Sequence, residues 1–356
     1  FINDIVRAAK ELKPRFIALV RTPIPLMTGT DFEGIARVIE KQTQISVFYF
    51  PTSGMHSYVS GAGMALETVA RELVLPTNAN EHFKENGIEI ENVSNELSVA
   101  DTKKQNQQKL NQSEQKQIKI NILGATPLDF SVNSTLDSIK EFLSKHFEII
   151  STFAMGSTIE DIQKAGEADV NLVISSVGFQ AAKVLEERFS TPYVIGTPVK
   201  GFASIIAEKL IDAAWTGKSQ TAYFSVTSSG KNISRAANGI YIIGESVISQ
   251  SLKAAMALKQ GIDATVICPL ETEPEYIGEN VLLFSSEEEI KAAIAEAKTV
   301  IADPIYKTIC ADETNFIALP HEAFSGRIYR KEIPNLMEWV TSRSHSETTD
   351  EASELH

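Results

Sequence analysis

The residues best suited to chemistry lie in short segments that follow apolar runs. The most unusual is Pro51 to Gly63 (PTSGMHSYVSGAG), with three glycines, one histidine and several hydroxyls, just before an apolar-striped segment, Met64 to Val74. Backbone N–H groups at such a helix start would favour an anion. The alternative is a glycine-rich turn that lets helix and loop pack closely. Gly54, His56, Ser57 and Gly61 are its candidate binding residues. His56 could serve as a ligand, a proton donor or a loop-capping histidine. Gly61-Ala62-Gly63 opens a G-x-G-x-x-G pattern, but Leu66 holds the third glycine's place and the pattern lies too far past the strand for a phosphate turn, so no nucleotide motif is read. A second segment, Pro320 to Tyr329 (PHEAFSGRIY), offers His321, with Arg327 nearby to suit a carboxylate or phosphate. Gly244-Glu245-Ser246 and Gly124-Thr126-Pro127 read only as strand-to-helix turns. Cys268, before Pro269 at a strand end, is compatible with a ligand or with a buried structural thiol. His82, His146, His345 and His356 read as incidental. No Walker A, H-E-x-x-H or C-x-x-C is present, and the catalytic residues stay unknown, because a triad is set by geometry rather than spacing.

Three blocks of alternating strands and helices position these segments. The first, 1–76, reads helix Phe1 to Leu12, strand Arg15 to Val20, helix Phe32 to Lys41 and strand Ile45 to Phe50. The second, 118–224, opens with the strand Ile118 to Gly124. Strands follow at Phe147 to Phe153, Val170 to Ser175 and Tyr193 to Gly196. Ser134 with Asp137 and Ser157 with Glu160 supply capping-box starts for its helices. The third, 225–340, repeats that order with strands at Ile240 to Gly244, Ala264 to Cys268, Thr299 to Ala302 and Asn315 to Leu319. Its helix Ser249 to Lys259 stops at Gly261, and Ser286 with Glu289 caps another. Matching strands lie roughly 120 to 127 residues apart, as two copies of one plan would. The first block matches only the later half of that plan, so the pattern predicts a partial domain with roughly 60 to 100 preceding residues outside this sequence.

Alternation of this kind predicts α/β domains, Rossmann-like and three-layered, with parallel sheets covered on both faces. Ligands in such folds sit at the carboxyl ends of strands where chain order reverses, so three blocks should share a central cleft. A polar linker or insertion, 77–117, separates the first two blocks. Its Gln-, Asn- and Lys-rich half, Lys103 to Gln117, is expected to stay disordered or weakly helical. A weaker break runs over Ser225 to Asn232, and 341–356 reads as a polar, solvated tail.

Composition narrows the partners. The 356 residues carry a net charge of −13, which argues against nucleic acid and anionic membrane. No apolar stretch is long enough to span a membrane, and no export signal is read, so a cytoplasmic setting is expected. Two cysteines exclude a disulfide scaffold and a self-contained four-cysteine metal site.

Several segments, in order, resemble the nitrogenase component 1 type of oxidoreductase, which includes the molybdenum-iron protein subunits and the dark-operative chlorophyllide-reductase relatives. Thr22 to Ala36 (TPIPLMTGTDFEGIA) resembles the family's C-P-x-x-L-I-G-D-D strand end and helix. Ser53-Gly54 with Gly61 resembles its glycine loop, and Ile122 to Pro127 (ILGATP) the start of its second domain. Asn171 to Ser175 (NLVIS) with Leu185 to Tyr193 (LEERFSTPY) resembles its N-L-V-x-C strand, helix and next strand. Phe324-Ser325-Gly326 resembles a late aromatic-Ser-Gly loop.

The resemblance implies three Rossmann-like domains around a metallocluster cleft, a homologous partner subunit and electrons from an ATP-dependent iron–sulfur reductase. It also implies departures. Thr22 stands where the family carries a cluster-binding cysteine, and Ser175 where a cofactor-binding cysteine would end N-L-V-x-C. Hydroxyls are poor soft-metal ligands beside thiolate. His321 lies one residue closer to the aromatic-Ser-Gly loop than the family's cofactor histidine. The expectation is therefore a subunit of a nitrogenase-like reductase complex, with Gly54, His56, Ser57 and Gly61 lining a cleft faced by Ser175 and His321. An iron–sulfur or related metallocluster would be shared with a partner or held by the preceding N-terminal region. The alternatives are a non-catalytic scaffold or carrier for a metallocluster or tetrapyrrole, and a small-molecule binding protein.

Overall fold

The structure, a computed structural model, describes residues 1–76, 117–130, 134–227, 239–326 and 328–339. The expected linker up to residue 116, the break from residue 228, Arg327 and the tail lie outside the described residues, as do His82, His345 and His356.

In the first block, strands β1 (Phe16–Val20) and β2 (Ser46–Phe50) pair in parallel, from Phe16 opposite Ser46 to Val20 opposite Phe50. Helices Ile2–Leu12 and Phe32–Thr43 cover them. Asp31 starts the second helix by accepting from the Gly34 amide at 2.8 Å. A small core of Val6, Leu19, Phe32, Ala36 and Ile39 holds this block together.

The helix after β2 departs from the sequence pattern. It spans Tyr58–Glu72, so it begins before Met64, and Gly61 and Gly63 lie inside it rather than in a turn. Gly63 faces the second block, where a Cβ would sit in ordinary contact, 3.6 Å from the Val177 carbonyl oxygen. Val59, Leu66, Ala70 and Val74 join the core of the second block. Arg188 fixes the far end by donating to the carbonyls of Ala70 (2.6 Å), Arg71 (2.9 Å) and Val74 (2.9 Å), satisfying carbonyls that a helix end otherwise leaves unpaired.

The second block is a five-stranded parallel sheet, β3 (Ile118–Leu123), β4 (Phe147–Ser151), β5 (Val170–Val173), β6 (Tyr193–Ile195) and β7 (Gln220–Thr221), in spatial order β4-β3-β5-β6-β7. Ile120, Ile122, Leu123, Leu172 and Val173 are fully buried, as a parallel sheet with two covered faces requires. The third block is also parallel: β8 (Ile240–Ile243), β9 (Thr265–Cys268), β10 (Val281–Leu283), β11 (Thr299–Ala302) and β12 (Asn315–Ala318), in order β10-β9-β8-β11-β12. The two blocks share the motif of a first strand flanked by the second on one side and a later strand on the other. They differ in where the third strand joins: β5 lies beside β3, whereas β10 extends the opposite edge beyond β9. β7 and β10, of two and three residues, are too short to show a periodic pattern.

Cap chemistry is correct in one place, shifted by one residue in a second and missing in a third. Ser286 with Glu289 forms the expected capping box. The box at the other predicted site is Thr158 with Asp161, because Ser157 Oγ instead accepts from the Thr152 amide at 2.6 Å. Ser134 adopts φ 63° and makes no side-chain cap. Helix Ser246–Gln260 ends at Gly261 as predicted, with φ 64°, and starts earlier than Ser249 because Glu245 caps it.

In both five-stranded sheets chain order reverses beside the first strand, between β3 and β5 and between β8 and β11. The loops after β3 and β5 touch there. A Cβ on Gly178 would lie 2.7 Å from the Leu123 carbonyl carbon, and one on Gly124, at φ +87°, 2.8 Å from Ser175 Oγ. Only glycine allows that approach.

Candidate functional site

The loops at the carboxyl ends of strands from all three blocks converge on Asp129. It sits on a single-turn helix, Pro127–Phe130, directly after β3, and is 1% exposed. From the first block, Tyr58 OH donates to Asp129 Oδ1 at 2.6 Å. From the third, His321 Nε2 lies 2.9 Å from the same oxygen. Within the second block Thr126 donates to Oδ2 at 3.0 Å. Ser175 Oγ lies 3.1 Å from Oδ2 and 2.8 Å from the Gly124 carbonyl. With donors facing both oxygens, Asp129 accepts on both, and His321 donates to it through Nε2. Burial, then the negative charges of Asp129 and Glu245, push the Tyr58 phenol well above its ordinary value, so it stays a donor at neutral pH.

A second buried carboxylate lies alongside. Glu245 is fully buried. It accepts from its own helix at Val247 N (3.1 Å) and Ile248 N (2.9 Å) and from the second block at Ser176 N (2.9 Å) and the Ser176 hydroxyl. Burial and the nearby Asp129 charge raise its pKa, against the hydrogen bonds from Ser176 and Ile248, which lower it.

Two cavities flank this junction. One, of about 370 Å³, lies between helix Tyr58–Glu72, the start of helix Phe179–Phe189 and the loop Glu271–Pro274. The other, of about 300 Å³, is lined by the loops after β1 and β2, including Arg21, Gly54, His56, Ser57 and Gly61. Glu271 of the third block stands between them. His56 Nδ1 lies 3.1 Å from its Oε1, and Ser57 donates to its Oε2 from the amide (3.1 Å) and the hydroxyl (2.8 Å). Burial works to raise the Glu271 pKa, but the bonds from Ser57 and His56 prevail and lower it. Both side chains of the pair stay half-exposed, at 55% and 49%.

The six sequence-derived candidates therefore fall into two groups. Gly54, His56, Ser57 and Gly61 line the first-block pocket. Ser175 and His321 meet on Asp129, fully buried. Sequence reasoning missed Asp129, Tyr58 and Glu271, and took Glu245 only for part of a turn. A carboxylate directly after a strand, as in Gly244-Glu245, is the signal that could have found it. Cys268 is a structural thiol: burial pushes it up to about 12, and its Sγ rests 3.5 Å from the Leu270 carbonyl.

The nitrogenase component 1 type oxidoreductase family model matches residues 2–206, more than half of the chain. The chain belongs to this family. One subunit of the light-independent protochlorophyllide reductase from Nostoc punctiforme (strain ATCC 29133 / PCC 73102) is 32% identical over 82 residues, 22% of this chain and 16% of that protein. Structures of nitrogenase Cp1 at pH 6.5 and at pH 5 align over 76% and 82% of this chain, at 16% and 17% identity and a TM-score of 0.46 each. The chain spans 48% and 55% of those structures. Among the described residues no helix is long and apolar enough to cross a membrane.

The family implies a metallocluster, and Ser175 and His321 do not fit one. Ser175 Oγ is engaged with Gly124 and Asp129. His321 keeps one nitrogen, Nδ1, buried without a hydrogen-bond partner, but a lone imidazole among hydroxyls and carboxylates is not the soft donor set an iron–sulfur cluster takes. Among the described residues no group of three His, Cys, Asp or Glu side chains could hold a metal ion.

Proposed function

We propose that this chain is a subunit of a nitrogenase-like reductase complex that binds its substrate where the three blocks meet. It works beside a homologous subunit and receives electrons from an ATP-dependent iron–sulfur reductase, in the cytoplasm. The observation that carries the reading is the Asp129 junction, which draws strand-end loops of every block to one place beside the 370 Å³ cleft. Ligand sites in open α/β sheets lie at such carboxyl ends. Gly54, His56, Ser57 and Gly61 face the substrate side, and Ser175 and His321 hold the frame. An iron–sulfur or related metallocluster belongs, in this reading, to an interface with the partner subunit.

The missing thiolates at Thr22 and Ser175 favour a second reading, a carrier that holds a metallocluster or tetrapyrrole without turnover. Anaerobic co-purification with the neighbouring homologous subunit and reductase separates the two. Substrate reduction that depends on ATP and the reductase, and is lost in Met64→Trp, which enlarges a side chain lining both cavities, supports the subunit reading. A colourless protein that takes up an added tetrapyrrole without turnover supports the carrier.

A further inference from the structure

The pocket of the first block and the inter-block cleft are neighbours. Ser60 and Met64 line both cavities. Glu271 lines only the cleft, and the groups that hold it, His56 and Ser57, line only the pocket. Glu271 therefore reaches from the wall of the cleft, about 370 Å³, to groups that line the pocket, about 300 Å³.

The way it is held is a complete carboxylate-recognition pattern. One oxygen faces His56 Nδ1 at 3.1 Å, and the other takes the Ser57 amide at 3.1 Å and the Ser57 hydroxyl at 2.8 Å. These donors come from a different block, more than two hundred residues away in the chain. They address the carboxylate, not the glutamate carrying it, so a soluble carboxylate of the same shape meets the same three donors. The pair is half-exposed on both sides, so Glu271 leaves into water rather than into the core. The adjoining Thr272, which also lines the cleft, has a buried hydroxyl with no hydrogen-bond partner. Arg21 adds a cation to the pocket wall, its Nε donating to the Thr52 carbonyl at 3.2 Å. Glu273 does not compete, because Gln180 holds it at 2.9 Å and Lys183 at 3.4 Å.

We propose that His56 and Ser57 form the recognition site for a carboxylate of the substrate, and that Glu271 occupies this site as an internal stand-in which the substrate displaces. The proposal rests on the reading that the cleft is the substrate site and narrows it to carboxylate-bearing molecules. Displacement leaves the Glu271 charge near the incoming anion, so neutralising Glu271 must strengthen carboxylate binding.

Isothermal titration calorimetry with succinate, and with its neutral analogue succinamide, tests this. Saturable binding of succinate but not succinamide, tightened about tenfold or more in Glu271→Gln and lost when Ser57→Ala is added to that variant, is the expected result. Equal binding of both probes, or no saturable binding to Glu271→Gln, overturns the proposal. In the reconstituted complex, lost turnover in Met64→Trp with an unchanged KM in Ser57→Ala overturns the carboxylate class and leaves the cleft standing. Normal turnover in Met64→Trp overturns both.

Discussion

Asp129 and Glu271 both join blocks of this molecule, and they do so in opposite ways. Asp129 is 1% exposed and accepts from a tyrosine of the first block and a histidine of the third. Glu271 is half-exposed and accepts from a histidine and a serine of the first block. The donor chemistry is nearly the same, but the surroundings differ. In a dry interior an unpaired donor has no water to turn to, so removing Asp129 strands Tyr58, Thr126 and His321 together, while Ser175 keeps the Gly124 carbonyl. At the surface, water replaces the lost partner and the pair contributes little. One carboxylate is a fixed joint and the other a removable contact.

Asp129→Ala should show the largest effect. A loss of roughly 3–5 kcal/mol is expected, measured by urea unfolding. A loss under about 1 kcal/mol would erase the distinction between the two joints. Gly178→Ala comes next, because its Cβ would press on the Leu123 carbonyl carbon at 2.7 Å, at a cost of about 1–3 kcal/mol in thermal or urea unfolding.

Then come the pH slopes, which should have opposite signs. Glu245, beside the buried joint, has its pKa raised by burial and by Asp129. The folded chain then holds this proton more tightly than the unfolded chain, and stability falls as pH rises from the ordinary carboxylate value, about 4.3, toward the raised one. Glu245→Gln should flatten that fall in urea midpoints taken across the range. Glu271 has its pKa lowered, the bonds from Ser57 and His56 outweighing burial. Its contribution is present above the ordinary carboxylate value and disappears as pH drops through the lowered one. Glu271→Ala should therefore cost below about 1 kcal/mol at neutral pH and nothing in acid. Parallel slopes for the two variants would break the comparison.

Much of the fold was legible because its signals are local. The buried runs IKINIL and VNLV announce central parallel strands. Gly261 and the Ser286–Glu289 box mark helix ends by backbone chemistry confined to one turn. The failures are equally physical. The Tyr58–Glu72 helix begins with Tyr, Val, Ser and Gly, residue types of weak intrinsic helix preference. It is set by packing against Val177 and by Arg188 at its far end. Ser157 lost its capping role to Thr158 because its hydroxyl was taken by the Thr152 amide.

The sequence alone determined the α/β class, the parallel strands, the segments rich in glycine and hydroxyls, and the family. Each follows from residue type and short spacing, where a few neighbouring side chains decide the outcome. Tertiary structure alone decided which of those residues work together. Tyr58 meets Asp129 across 71 positions, His321 meets it across 192, and Glu271 reaches His56 across 215. No local pattern encodes such distances. They exist because each sheet places its loops at one edge, and because buried hydrogen-bonding groups must find one another once water is excluded.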